Sequence, residues 1–340
     1  MGMNPTTQLW HELAEYARWS PSPHNTQPTR LKIIDDTTAE VYFKRQRGLP
    51  VGDPLGRFTF ATFGIFIEIL KIAAASKKFR IDIDFDLKPL YQDDAELQKI
   101  ATLHLVADPD IKDLDAALIP KRRTSRLPYN NQPIPDSVMQ LLRNETKHYG
   151  HTISARTDKQ AVDWVIELNK DSLFYDLSHQ HYREELRGWL RYSHKEAVTK
   201  KDGLSAEAMY LPGWLLHSFM YQHWLYTNPI TRDVAERIYE KTMKGIATVA
   251  WIQGPYKTRE DWINAGRLMI RLWLIMTERG YYWQPYGSII TNDEARQKMI
   301  RNFNITDERD GENMMWLLLR MGQSGEPVRS ERLPLEEILL

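Results

Sequence analysis

FGIFIEILKIAAASKKF, residues 63–79, and AGRLMIRLWLIMTERGY, residues 265–281, are the two stretches on which the fold turns. Each is long, apolar and helical in pattern, follows a loop and runs into a strand. In the second, Trp262, Ala265, Leu268, Met269, Leu272 and Met276 share one face, and Gly280 stands where a helix commonly ends. Around the first, the apolar run extends over 58–75, broken only by Glu68 and Lys71. Two charges make it a poor membrane span and a good buried helix over about 58–76. The two stretches match weakly residue by residue. What repeats is the order of elements around them.

Before the first stretch, residues 6–19 form a helix with Leu9, Leu13, Tyr16 and Ala17 on one face, stopped by Ser-Pro-Ser-Pro at 20–23. Strands follow at 30–34 and 39–44, then a Pro/Gly loop at 47–57. Alternating IDIDFDL at 81–87 and TLHLVA at 102–107 supply two more strands after the helix. A similar order begins again after Pro120: a helix at 135–144, a strand at 151–156, helices at 160–175 and 179–192, and strands at 281–284 and 315–320. The expectation is an α+β fold of two pseudo-symmetric halves in one chain, 1–118 and 119–340. An aromatic insertion at about 185–230 has no counterpart in the first half and reads as a helical lid. Within it, TKKDGLSAEAMYLPG at 199–213 reads as a mobile loop.

Composition removes whole classes of function. With 42% hydrophobic residues in 340, the chain has enough apolar material to fold. Lys+Arg and Asp+Glu are both 45, so the basic excess typical of nucleic-acid binding is missing. Zero Cys excludes disulfides, thiol nucleophiles and cysteine-ligated metals. No GxGxxG or GxxxxGK[ST] occurs, GQSG at 322–325 lacks the nucleophile-elbow spacing, and HQH at 179–181 faces opposite sides of a helix, so no metal site is expected. The first residues show no basic-then-apolar leader, and the expected location is the cytoplasm. GWLLHSFMYQHWLY, 213–226, lacks a Lys/Arg-rich polar face, so a wall over a site is expected there and no membrane contact.

Four short stretches carry chemistry. ARWSPSPHNTQP, 17–28, presents Ser22, Asn25 and Gln27 from a backbone stiffened by Pro21, Pro23 and Pro28. Such a loop suits the edge of a flat heterocycle, and equally a helix-terminating turn. KRRTSRLPY, 121–129, sets three arginines and two hydroxyls within five positions, enough to surround a phosphate. A solvated basic linker or a nucleic-acid patch is the alternative. QPYGS, 284–288, uses Gly287 either to bring backbone N–H groups near a ligand or to make a turn. RSERLP carries Arg329 and Arg332 in what alone would be a charged tail.

Together, PSPHNTQP, RRTSR, the PYGS turn after GYYWQ and the terminal SERLPLEE resemble the nitroreductase superfamily of FMN enzymes, closest to its single-chain duplicated Acg-type branch. The resemblance spans nearly the whole chain, only loosely over 150–258. It implies a nitroreductase-like fold with FMN as cofactor. Arg122, Arg123, Thr124 and Arg126 would hold the phosphate, helped by Arg332 or Arg329. Ser22, Asn25 and Gln27 would face the isoalloxazine or ribityl side. Pro285, Tyr286 and Gly287 would run along the flavin near N5, where the backbone of Tyr286 and Gly287 is the nearest thing to a catalytic group. The implied activity moves hydride from NAD(P)H to an electron-poor acceptor such as a quinone or nitroaromatic; an FMN-storing protein is the alternative. No protein proton donor is identified beyond water or a lid tyrosine such as Tyr192 or Tyr210. The first half lacks an RRxxR cluster and the second lacks a PSxxNxQP loop, so one site per chain is implied. The chain would be a monomer with an internal pseudo-dimer, or a homodimer.

Overall fold

A computed structural model describes residues 5–92, 94–222 and 224–340. The first half runs α1 (Pro5–Ala17), β1 (Thr29–Ile33), β2 (Thr38–Lys44), α2 (Arg57–Ser76), β3 (Phe79–Phe85) and β4 (Leu97–Ala107). Its strands form an antiparallel sheet in the order β1-β2-β4-β3. The second half opens with α3 (Asp136–His148) and β5 (Thr152–Arg156). A mainly helical insertion follows: α4 (Lys159–Ser178), α5 (Gln180–Gly188), β6 (Leu190–Arg191), α6 (His194–Lys200), β7 (Leu204–Ser205), α7 (Gly213–Tyr221), α8 (Trp224–Thr227) and α9 (Pro229–Thr242). The chain then returns through β8 (Thr248–Gly254), α10 (Arg259–Glu278), β9 (Tyr282–Pro285), α11 (Gly287–Thr291), α12 (Asp293–Phe303), β10 (Met314–Gly322) and α13 (Leu335–Ile338).

The second sheet is antiparallel in the order β5-β8-β10-β9. With the insertions set aside, helix–strand–strand–helix–strand–strand occurs twice with one strand order. The two long helices hold the halves together. α2 is apolar and long enough to cross a bilayer, yet 89% of its apolar window is buried within the fold. It lies against α10 at a contact that no side chain could enter. A Cβ on Gly64 would meet the Ile263 carbonyl oxygen at 2.0 Å, and one on Gly266 would meet that of Ala61 at 1.9 Å. The same spacing along the chain separates Ala61 from Ile263 and Gly64 from Gly266. The contact is therefore reciprocal, like that of a two-fold dimer.

Three features depart from the sequence expectation. The insertion is wider than 185–230: it begins with α4, directly after β5, and continues to Thr242. β8, a central strand buried at every position, lacks the alternation by which half-buried strands are recognised. The 199–213 stretch is pinned rather than mobile. Asp202 is buried, with Arg191 at 2.6 Å and Arg47 at 3.0 Å.

Candidate functional site

A cavity of about 1170 Å³ lies between the halves and under the insertion. It exceeds the roughly 300–1,000 Å³ usual for one small ligand. Among the residues expected from sequence, Ser22, Asn25, Arg122, Arg123, Thr124, Arg126, Pro285, Tyr286, Gly287, Arg329 and Arg332 line it. Gln27 is not on the wall.

The 21–28 loop earns its shape from its own polar groups. His24, Asn25 and Gln27 have φ of 50°, 54° and 52°, with right-handed Thr26 between the last two; L residues adopt such positive φ uncommonly. The Ser22 hydroxyl accepts from the Gln27 amide at 2.8 Å. Asn25 Nδ2 donates to the Gly203 and Glu331 carbonyls at 3.0 and 3.1 Å, and its Oδ1 accepts from Arg332 at 2.9 Å. Gln27 donates to the Lys201 carbonyl and accepts from the Leu333 amide, both at 2.9 Å. Gln27 is thus a tie between chain segments, correcting its reading as a group that faces a ligand. His24 was not anticipated. Burial, then the charge of Arg126, pushes its pKa down to about 4, so it presents a neutral ring to the cavity.

The arginines fall into two groups, not the single cluster expected of RRTSR. Arg122 is buried, with its guanidinium 4.3 Å above the Trp273 ring and no hydrogen-bond partner at Nε or Nη1. Burial and the charges of Arg332, Arg123 and Arg329 hold its pKa well below the usual value. Arg332 is also buried; burial, then Arg329 and Arg18, pushes it down to about 10, and its Nε has no partner. Among the described residues no carboxylate pairs with either. Cations crowded together without acids form a hole for an anion. Arg126 belongs elsewhere: burial and Arg320 push it down to about 10, and it donates to the Ala208 carbonyl at 3.3 Å. Arg320, unanticipated although it interrupts the apolar run MMWLLLRMG, is fully buried 4.8 Å over the Tyr129 ring. Arg123 and Arg329 serve the rim. Arg123 pairs with Glu326 at 2.7 Å, while Arg329 lies 3.7 Å over the Trp19 ring and donates to the Pro120 carbonyl. Thr124 bridges to Trp283 through its backbone.

At the far wall, the Tyr286 amide donates to the Leu318 carbonyl at 2.8 Å and its side chain is buried against Met243. That anchorage leaves the chain between Pro285 and Ser288 as the exposed surface of the turn. Nothing lies within 4 Å of where a Gly287 Cβ would stand. Tyr192 and Tyr210 are not on the wall; the titratable groups that are include Asp53, Asp176, Tyr182 and Tyr256. Burial pushes Asp53 up to about 6 against hydrogen bonds from Thr59. Tyr256 is 1% exposed and its hydroxyl has no partner. The insertion closes the cavity with Leu216, Phe219 and Met220 of α7. Among the described residues no group of His, Asp and Glu is arranged to hold a metal.

No family model matches the chain. Two Mycobacterium tuberculosis proteins, from strains CDC 1551 and H37Rv, each named "Putative NAD(P)H nitroreductase", are 28% identical over 171 residues, covering 50% of this chain and 47% of theirs. Over that stretch the chain is similar to proteins named as nitroreductases. It spans about half the length of these curated relatives. Among solved structures, the FMN-dependent nitroreductase NfnB of Mycobacterium smegmatis, in complex with NADPH, aligns with a TM-score of 0.38 at 15% identity, over 65% of this chain and 94% of its own. A nitroreductase, so assigned, from Anabaena variabilis aligns with a TM-score of 0.44 at 11% identity, over 93% of this chain and 73% of its own.

Proposed function

We propose that this nitroreductase relative is an FMN-dependent oxidoreductase that moves hydride from NAD(P)H to an electron-poor organic acceptor, a quinone or nitroaromatic. The observation that carries the reading is the pair Arg122 and Arg332: buried, in no ion pair among the described residues, and with guanidinium nitrogens left unpartnered in the wall of a large cavity. A phosphate monoester is the group such a pair fits, by charge and by its acceptor oxygens. The rest of the wall fits a flat, mostly apolar ring, with Trp273 beneath Arg122 and the Pro285–Gly287 backbone opposite.

FMN, when bound, supplies two-electron transfer at its N5; the protein supplies binding, orientation and exclusion of water. Arg122 and Arg332 would hold the phosphate, with Arg123 and Arg329 at its rim. Arg126, backed by Arg320, would add positive charge to the cavity wall, which favours a reduced, anionic flavin. The Tyr286 amide is taken by the Leu318 carbonyl, so the turn would offer the Gly287 N–H to the cofactor. Asp176, whose carboxyl pKa burial raises against a hydrogen bond from Ser288, lies beside that turn. The α7 side chains would exclude water from the acceptor side.

Purified protein is expected to be yellow, and anaerobic NAD(P)H is expected to bleach it. A colourless protein that ignores added FMN overturns the cofactor assignment. A yellow protein that resists both NADH and NADPH overturns the oxidoreductase and leaves an FMN-storing protein.

A further inference from the structure

Asn25 lies on the cavity wall, but its amide is already spoken for. Both Nδ2 hydrogens are used, one on the Gly203 carbonyl at 3.0 Å and one on the Glu331 carbonyl at 3.1 Å. Oδ1 accepts from Arg332 Nη1 at 2.9 Å. An amide has two donors and two lone pairs, so a single lone pair is left for any ligand. The residue is 5% exposed and sits at φ 54°, a backbone conformation that asparagine tolerates better than most.

Resting on the assignment of the phosphate to Arg122 and Arg332, we propose that Asn25 is a positioning residue: it acts on the phosphate through Arg332 and bolts that arginine to the Gly203 turn of the insertion.

Arg332 needs such a partner. Among the described residues, besides Asn25 its Nη1 meets only the carbonyls of Ser330 and Glu331, at 3.4 and 3.0 Å. A carboxylate would hold the guanidinium as firmly, but would cancel the charge the anion needs. A neutral amide orients the cation and leaves its charge available. The other end of the joint is rigid as well. The Gly203 amide donates to the Asn25 carbonyl at 3.1 Å. Next to it, Asp202 is held by Arg191 and Arg47, and Arg47 also donates to the Thr26 carbonyl at 2.9 Å. Gln27 repeats the pattern one step on, joining Lys201 to Leu333. The 21–28 loop, the 201–203 turn of the insertion and the C-terminal segment therefore meet at one buried node.

The test compares FMN with riboflavin, which lacks the phosphate, by fluorescence titration of flavin-free protein. The parent should prefer FMN. Asn25→Ala should reduce that preference roughly ten-fold while changing riboflavin affinity much less. In an Arg332→Ala background the same substitution should change the preference little, because the residue it acts through is gone. Asn25→Asp should be worse than Asn25→Ala, although it is the closer isostere, because its carboxylate neutralises Arg332. A merely structural role would also make Asp worse, because its carboxylate faces the Gly203 and Glu331 carbonyls, but it would weaken riboflavin as much as FMN. If Asn25→Ala does not fold, Asn25→Ser takes its place in both comparisons. An Asp variant milder than Ala (or Ser), or an undiminished effect in the Arg332→Ala background, overturns the proposal. A parent that binds riboflavin as tightly as FMN fails earlier, at the phosphate assignment itself.

Discussion

Arg122 and Arg126 stand four residues apart, yet the charges around them differ. Arg332, Arg123 and Arg329 surround the first, and Arg320 stands behind the second. Arg122→Ala is expected to weaken FMN by roughly 1.5–3 kcal/mol, about one to two decades, and riboflavin far less. Arg126→Ala should weaken both flavins alike; paired titrations separate the two roles. A second expectation concerns acid stability. His151, buried beside Trp316, whose Nε1 donates to its Nδ1 at 3.1 Å, has its pKa pushed by burial from 6.5 to about 4. Between those values the unfolded chain binds more protons than the folded one. Stability from this group is therefore intact above pH 6.5 and falls as pH drops toward 4. His24 has the same sign, while Asp53, raised to about 6, opposes them over its own range. His151→Asn, which keeps an acceptor for Trp316, should flatten melting temperature against pH; an unchanged slope would refute the assignment. The residue types of the site were legible because Pro-rich and Arg-rich runs are unusual. Their division of labour was not: Arg320 and His24 reach the wall through tertiary packing, and the Gln27 amide is consumed by segments 174 and 306 residues away.

The elements were legible wherever a pattern had a period. α2, α10 and the strands of the first sheet announce themselves by apolar faces and alternation. β8 does not, because a strand buried on both faces reads as one apolar run. The insertion was placed too narrowly because α4 looks, in sequence, like any helix after a strand. The close approach of Gly64 to Ile263 yields its own prediction. Gly64→Ala must force α2 and α10 apart, at a cost of about 1–3 kcal/mol, and should lower the melting temperature by several degrees. The intrinsic helix propensity of Ala points the other way, so a stabilised variant would show that the contact yields easily. α7 carries a different expectation. Phe219→Ala should raise kcat/KM for bulky acceptors relative to small ones, with FMN affinity unchanged. Loss of the flavin would instead make α7 part of the cofactor site.

At the scale of the whole molecule, the reciprocal contact of α2 and α10 implies a second position related to the cavity by the internal two-fold. On the cavity side the helices present Ile65 and Trp273. Their counterparts by the Gly64–Gly266 spacing are Arg267 and Lys71, and the space they face is filled by charge. Glu68, 2% exposed, accepts from Arg267 at 2.9 Å and from Arg271 at 2.8 Å. Arg271 also holds Asp113, at 2.8 Å, and Glu145. Breaking a buried network of this kind costs about 3–5 kcal/mol, so a ligand does not simply displace it. The arginines and the loop that serves them are meanwhile joined within one chain, through Asn25 and Arg332. One flavin per chain is therefore expected, each site completed without a second molecule. Mixing an Asn25→Ala/Gln27→Ala chain with an Arg122→Ala/Arg126→Ala chain should not restore FMN binding, because each carries a damaged copy of a site that closes on itself. Restored binding in the mixture would mean that sites are shared between chains, and two flavins per chain would mean that the network around Glu68 opens.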